Sequence, residues 1–281
     1  MSRLSGDIFE YYFAHTLWLS GIQPLDSFTR EKIRRLSSHL GSDRDIDVSS
    51  RKALMKAVSK FISSTLIGAT AFIMMPDTSG KNADATDIRI TSTCDYNISL
   101  KRNNCSIKHQ RPSSLESQLK CKDNEYKPEY KAMNDKWYSQ IKHHASYCEM
   151  DKNTKINMLR DFNNLYAMYI NDNQCSRNNL INFLVSNEVP NKYIVKWTGK
   201  GKLTVYNCTK LVYPTTMYAT VDDNYITLEF FDADDEPYLE ITCRLHTAKK
   251  EITKNLSLKY DTTIKDIEKT YESEVISSGY L

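Results

Sequence analysis

Glycine and proline are scarce in this chain, at eight and seven in 281 residues. Glycine-rich phosphate cradles are missing with them: neither GxGxxG nor GxxxxGKS/T occurs. Thr198-Gly-Lys-Gly-Lys-Leu lacks the spacing and reads as a hairpin turn. The seven cysteines are scattered without close pairs, which argues against a disulfide framework and suits a reducing compartment. No apolar run reaches the roughly eighteen residues of a membrane helix. The longest, Leu66–Met75, is interrupted by Gly68 and Thr70. Asp7 and Glu10 lie where a signal peptide would have its apolar centre, so a cytoplasmic protein is expected. GxSxG, HExxH and nucleophilic Cys–His patterns are absent as well. The net charge of +3 permits a nucleic-acid partner without announcing one.

What is present describes a soluble globular chain, 40% hydrophobic and 26% charged, long enough for a substantial core. Apolar residues at helical spacing predict helices over Ser5–Ser20, Phe28–Leu40, Val48–Ile67 and Asp151–Asn173. In the second helix Arg30, Lys32, Arg34 and Arg35 read as exposed. Gly68–Met75 reads as a buried strand. The character changes at Pro190, after which six short strand-like runs follow between Tyr193 and Tyr260. The expected architecture is α/β, a mixed central sheet flanked by helices with a β-rich C-terminal region. The corresponding division is residues 1–190 and 191–281, as two regions or parts of one domain.

The most informative stretch is Ala83–Arg111. Asp87–Thr91 and Asp95–Lys101 alternate with the period of two that strands require, and Ser92-Thr93-Cys94 is short enough to join them as a hairpin. Asp87 would then open one strand and Lys101 close the other. A carboxylate that holds a divalent cation and a lysine that orients water are the minimal equipment for metal-assisted phosphodiester hydrolysis. The same pattern also describes a solvated sheet face with a surface ion pair.

From Tyr96 to Leu115 there is no acidic residue, while Lys101, Arg102, Lys108, His109 and Arg111 are interleaved with Asn103, Asn104 and Gln110. Cations for phosphates and amides for base edges are what DNA contacts need, although a solvated loop has the same composition. Further on, Asp222–Glu240 holds eight acids and no Lys or Arg, whereas Arg244–Lys259 is basic. Cys105-x3-His109 and His144-x3-Cys148 have spacings that zinc could use, as a minor alternative.

Three blocks resemble the HaeIII-type family of type II restriction endonucleases, within the PD-(D/E)xK nuclease superfamily. They are DATDIRI with ISLKRNNCSIKHQR in Asp84–Arg111, SGDIFEYYF at Ser5–Phe13 and CRLHTAKKEITKNLSLKYD at Cys243–Asp261. NFLVSNEVPNKYIVKW at Asn182–Trp197 adds to them. The resemblance implies a restriction-endonuclease-like fold in which Asp87 binds Mg2+, Lys101 is the catalytic lysine and Glu10 joins the metal site from the first helix. Ser99 stands where the superfamily usually has Asp or Glu, so the missing ligand falls to Glu10, Asp84, Asp95, water or substrate phosphate. Arg102, Asn103, Asn104, Lys108, His109, Gln110 and Arg111, with Arg244, His246, Lys249 and Lys259, would hold and read DNA. The implied activity is cleavage of double-stranded DNA at a short palindrome, GGCC or a relative of it. A homodimer on DNA and a companion DNA methyltransferase follow from the same resemblance. The alternatives are a non-catalytic DNA-binding module in which Asp87 and Lys101 merely pair, and a structure-specific repair nuclease of the same superfamily.

Overall fold

A computed structural model describes residues 4–40, 48–76, 85–102, 106–120, 125–198 and 202–278. The chain begins α1 (Leu4–Leu19), β1 (Gln23–Pro24), α2 (Ser27–Leu40), α3 (Val48–Thr65), β2 (Ala71–Met74), β3 (Ile88–Thr91) and β4 (Tyr96–Arg102). It continues β5 (Ser106–Gln110), α4 (Leu115–Leu119), α5 (Tyr126–Ile141), α6 (Lys152–Asp172) and α7 (Arg177–Val185). Then come β6 (Lys192–Trp197), β7 (Lys202–Cys208), β8 (Thr216–Asp222), β9 (Tyr225–Phe231), β10 (Pro237–Thr247) and β11 (Leu258–Ile264). A short α8 (Ile267–Thr270) and β12 (Glu272–Ser277) close it. The class is mixed α/β, as expected. Among the described residues no helix is long and apolar enough to cross a membrane.

The division differs from a split at residue 190. Residues Met1–Asn104, Ser186–Lys210 and Ile267–Leu281 form one compact unit, and Cys105–Val185 with Leu211–Asp266 form a second. The chain therefore passes from one unit to the other four times.

The first unit is built on a seven-stranded mixed sheet in the order β1-β2-β3-β4-β6-β7-β12. Pairs β1–β2 and β4–β6 are parallel and the rest antiparallel. Helix α1 packs Phe9 and Phe13 into a core shared with Phe61 of α3 and with Ile88, Ile90, Ile98, Leu100, Val195 and Trp197 of the sheet. Phe9 reaches Trp197 at 5.7 Å between ring centres. Helix α2 is started by Asp26, whose carboxylate accepts the Thr29 N–H at 2.7 Å, satisfying one of the orphan donors of the first turn. The Thr29 hydroxyl in turn accepts the Met74 N–H at 2.9 Å, which docks α2 on the end of β2.

The second unit holds an antiparallel five-stranded sheet, β5-β11-β10-β9-β8. Helix α6 starts on Asp151, which accepts the Thr154 N–H at 2.8 Å, and buries Phe162, Tyr166 and Tyr169. Tyr166 meets Tyr260 of β11 at 4.9 Å between ring centres. Strand β5 lies in the segment whose polarity reads as a DNA-contacting loop, yet Gln110 is only 3% exposed. Its amide donates to the Thr262 hydroxyl at 3.3 Å and its carbonyl accepts from Tyr166 at 3.5 Å. Gln110 is thus an interior residue that satisfies buried polar neighbours, and a base contact is not open to it. Removing it as Gln110→Ala takes the amide donor from the buried Thr262 hydroxyl and opens a cavity, while Tyr166 keeps its bond to Gln118 at 3.2 Å. Stability should fall by about 1–3 kcal/mol, read as a lower urea midpoint with unchanged m.

Candidate active site

The period-two reading of Asp87–Lys101 corresponds to the β3–β4 hairpin, with Ile88 opposite Ile98 and Ile90 opposite Tyr96. Asp87 stands one residue before β3 and is fixed through its backbone on both sides. Its N–H donates to the Ile98 carbonyl at 2.8 Å, and its carbonyl accepts the Met75 N–H at 2.8 Å. The carboxylate reaches further along β4, where Oδ2 accepts the Leu100 N–H at 2.6 Å and the Ser99 hydroxyl at 3.4 Å. A side-chain oxygen serves a backbone N–H here instead of a neighbouring strand. Oδ1 accepts no hydrogen bond among the described residues.

Glu10 comes from α1, anchored by the buried Phe9 and Phe13 on either side of it. Its Oε2 lies 3.1 Å from the Lys32 ammonium of α2, and Oε1 has no partner among the described residues. Burial raises the Glu10 pKa first and the Asp87 charge raises it next. The charge and hydrogen bond of Lys32 oppose both, Asp7 adds a smaller rise, and the value settles at about 7. The interaction with Asp87 means that the two carboxylates act on each other through space. Each therefore has one oxygen held by the protein and one left open.

Lys32 is the residue that sequence reading misplaces. It is 6% exposed, not on an outer face, and its ammonium also donates to the Met75 carbonyl at 3.0 Å. The signal is there: Thr29, Lys32, Ile33 and Leu36 follow the i, i+3, i+4, i+7 spacing of a buried helix face, and all four are buried. A lysine flanked by that stripe is aimed inward.

Lys101 follows Ser99 by two residues on β4 and so shares its face, while Leu100 belongs to the face covered by α1. Its neighbour in register on β6 is Lys196. Among the described residues no ion pair joins Lys101 to Asp87. Asp87 accordingly touches the Ser99 and Lys101 face through Ser99, and is coupled to Glu10 from α1. Asp95 precedes β4, at the end of the strand far from Lys101. Asp84 lies outside the described residues.

Among the described residues no group of three or more His, Cys, Asp or Glu converges as a metal-holding set. Glu10 and Asp87 provide two carboxylates with open oxygens. That suits a hard cation such as Mg2+, which keeps several waters and is held by one or two carboxylates plus substrate phosphate. It does not suit zinc. For the zinc spacings, Cys105 lies outside the described residues and Cys148 is exposed.

The residues expected to contact DNA divide sharply. Asn103 and Asn104 lie outside the described residues. Arg102, in the first unit, places its guanidinium 4.6 Å over the Trp197 ring. Lys108 is 4% exposed. Its ammonium donates to the Phe183 carbonyl at 2.6 Å and lies 3.7 Å over the Phe183 ring, so it is an interior cation and not a phosphate contact. Arg111 and Lys249 are exposed. His109, Arg244, His246 and Lys259 meet on the outward face of the second unit's sheet, where His109 of β5 and Arg244 of β10 both stand opposite Asp261 of β11. His109 Nδ1 is 2.7 Å from Asp261 Oδ1, and His246 Nε2 and Arg244 are each 3.2 Å from Oδ2. Burial raises the Asp261 pKa, but His246, His109 and Arg244 outweigh it and hold the carboxyl below its usual range. Sequence had no route to Asp261, because its partners arrive from strands far apart in the chain.

No protein-family model, curated protein or solved structure matches this chain.

A Glu10 pKa above its ordinary value of 4.5 means that the ionised form is the less stable one in the fold. The cost is absent below about pH 4.5, grows between there and about 7, and is complete above. Glu10→Gln, which mimics the protonated acid, should leave stability unchanged near pH 4. It should raise it by about 3 kcal/mol near pH 8, measured by denaturant unfolding without divalent cations.

Proposed function

We propose that this chain is a Mg2+-dependent endonuclease of double-stranded DNA with a restriction-endonuclease-like core, as its resemblance to the PD-(D/E)xK nucleases implies. The observation that carries the reading is that Glu10 and Asp87, drawn from a helix and a strand entrance, lie near enough for the Asp87 charge to raise the Glu10 pKa, each with one oxygen pinned and one open among the described residues. Carboxylates kept close at a cost in stability are a functional arrangement more often than a structural one. The absence of an ion pair between Asp87 and Lys101 argues against the alternative in which the two merely neutralise each other.

Glu10 and Asp87 would hold the cation. Bound there, it would supply charge for the phosphoryl oxygens and leaving group and lower the pKa of a water. Asp87 is aimed by the Leu100 N–H and Ser99, so Ser99 acts on the carboxylate's orientation and is not a ligand. Lys101, without an ion-pair partner among the described residues, is the amine available to orient the attacking water or meet a phosphate oxygen. On the second unit, His109, Arg244, His246 and Lys259, together with exposed Arg111 and Lys249, would contact the DNA backbone. A short palindromic site fits a two-fold symmetric pair of chains on the DNA, with a companion methyltransferase to protect host sites.

Incubating the protein with a plasmid and Mg2+ tests the reading. Discrete fragments are the expected product, abolished by chelation. Asp87→Asn and Lys101→Ala should each lower the cleavage rate by about a hundredfold or more while sparing retention of DNA in a gel. Arg244→Glu and Lys259→Glu should weaken DNA binding and flatten its salt dependence, by about one released ion for each phosphate no longer held. A gel shift without cleavage would instead make the protein a DNA-binding module. A smear, or preference for branched DNA, would make it a structure-specific nuclease.

A further inference from the structure

We infer that Lys32 is the resident counter-ion of the Glu10–Asp87 pair, a positioning residue that offsets their charge in the free protein and leaves the site net positive once a divalent cation is bound. The inference rests on the reading of these two carboxylates as a cation site. Lys32 is the one cation that the described structure sets directly on the pair, at 3.1 Å from Glu10 Oε2. It is buried, beside a Glu10 that is partly exposed, and its second donation, to the Met75 carbonyl, ties it to the residue whose N–H holds the Asp87 carbonyl. Glu10, Lys32, Met75 and Asp87 are thus linked in one chain of contacts. A shift of the ammonium is felt at both carboxylates.

Charge counting gives the ammonium its role. With both carboxylates ionised, they and Lys32 sum to one negative charge in the free protein. A divalent cation turns that into one positive charge, the sign that attracts a DNA phosphate and the charge developing on it during cleavage. Lys101 cannot fill this place, because it lies on the Ser99 face of β4 and makes no ion pair with Asp87. Lys32 holds Oε2 and leaves Oε1 open, so it orients Glu10 without occupying the ligand position. A buried ammonium near a cation site also repels the cation, so the sign of its effect on cation affinity is fixed in advance.

Mn2+ binding to the whole protein without DNA, followed by electron paramagnetic resonance at mildly alkaline pH, tests this. Lys32→Met should bind Mn2+ about tenfold or more tightly than the parent, melt at a lower temperature in the absence of metal, and regain that loss on adding Mn2+. With Mg2+ saturating, its DNA cleavage should be slower. Lys32→Arg, which keeps the charge, should restore the parental Mn2+ affinity. Unchanged or weaker Mn2+ binding by Lys32→Met, or a loss of fold that Mn2+ does not reverse, overturns the inference. Asp87→Asn separates the two levels. If it loses Mn2+ while Lys32→Met behaves like the parent, the cation site stands and the role of Lys32 falls. If it binds Mn2+ as the parent does, the site itself is misassigned and the role of Lys32 falls with it.

Discussion

The structure of the first unit turns on one hydrogen bond, from the Leu100 N–H to the Asp87 carboxylate. Where β3 begins, a side-chain oxygen takes the place that a neighbouring strand would otherwise fill for β4. A charge-assisted bond to a backbone N–H is among the stronger kinds available. It fixes the carboxylate at the strand entrance through Oδ2. Everything else at the site approaches that fixed point: Glu10 from α1, Lys32 from α2 through Met75, and Ser99 from the facing strand. The helices hold those positions because Phe9, Phe13, Ile33 and Leu36 are buried in the same core as the strands.

How much of this the sequence discloses depends on whether the deciding signal is local. The hairpin is legible because alternation and a three-residue turn are local, and α1, α2 and α3 are legible because their apolar stripes are. Asp87, Ser99 and Glu10 could be singled out from such stretches, with Glu10 depending on the resemblance. Lys32 was legible in principle, through its place beside Thr29, Ile33 and Leu36, but charge is a misleading guide to exposure when a carboxylate waits inside. Lys108 and Gln110 mislead in the same way. Both sit in a basic, amide-rich segment, and both face inward because Phe183, Tyr166 and Thr262 give them interior partners. The interleaving of the two units is not a local property at all. It is set by which strand pairs with which, and β5 joins β11 across some 150 residues of chain that no periodicity connects.

The second unit shows what the same charges do when the oxygens are all engaged. Asp261 is flanked by His109 on Oδ1 and by His246 and Arg244 on Oδ2. These groups hold its pKa down, whereas burial and the Asp87 charge dominate at Glu10 and drive its pKa up. Opposite shifts in two partly buried carboxylates follow from their surroundings: burial and a neighbouring carboxylate outweigh one lysine at Glu10, whereas two histidines and an arginine outweigh burial at Asp261. Asp261 has both of its oxygens engaged, by His109 on one and by His246 and Arg244 on the other. Glu10 and Asp87 each keep one oxygen open among the described residues.

That contrast separates a carboxylate that organises a surface from one that can accept a ligand. A cation would add little at Asp261, because both of its oxygens already face His109, His246 or Arg244 and a newcomer would have to displace them. Under the proposed reading, a cation at Glu10 and Asp87 would meet open oxygens and relieve the repulsion that burial intensifies, so the interaction that costs the free protein stability is the one that would favour metal binding. The two open oxygens, more than the hairpin pattern itself, distinguish this strand pair from a solvated sheet face carrying a surface ion pair. A surface pair would close on itself, and here Lys101 stays apart from Asp87 while the buried Lys32 takes only one oxygen of Glu10.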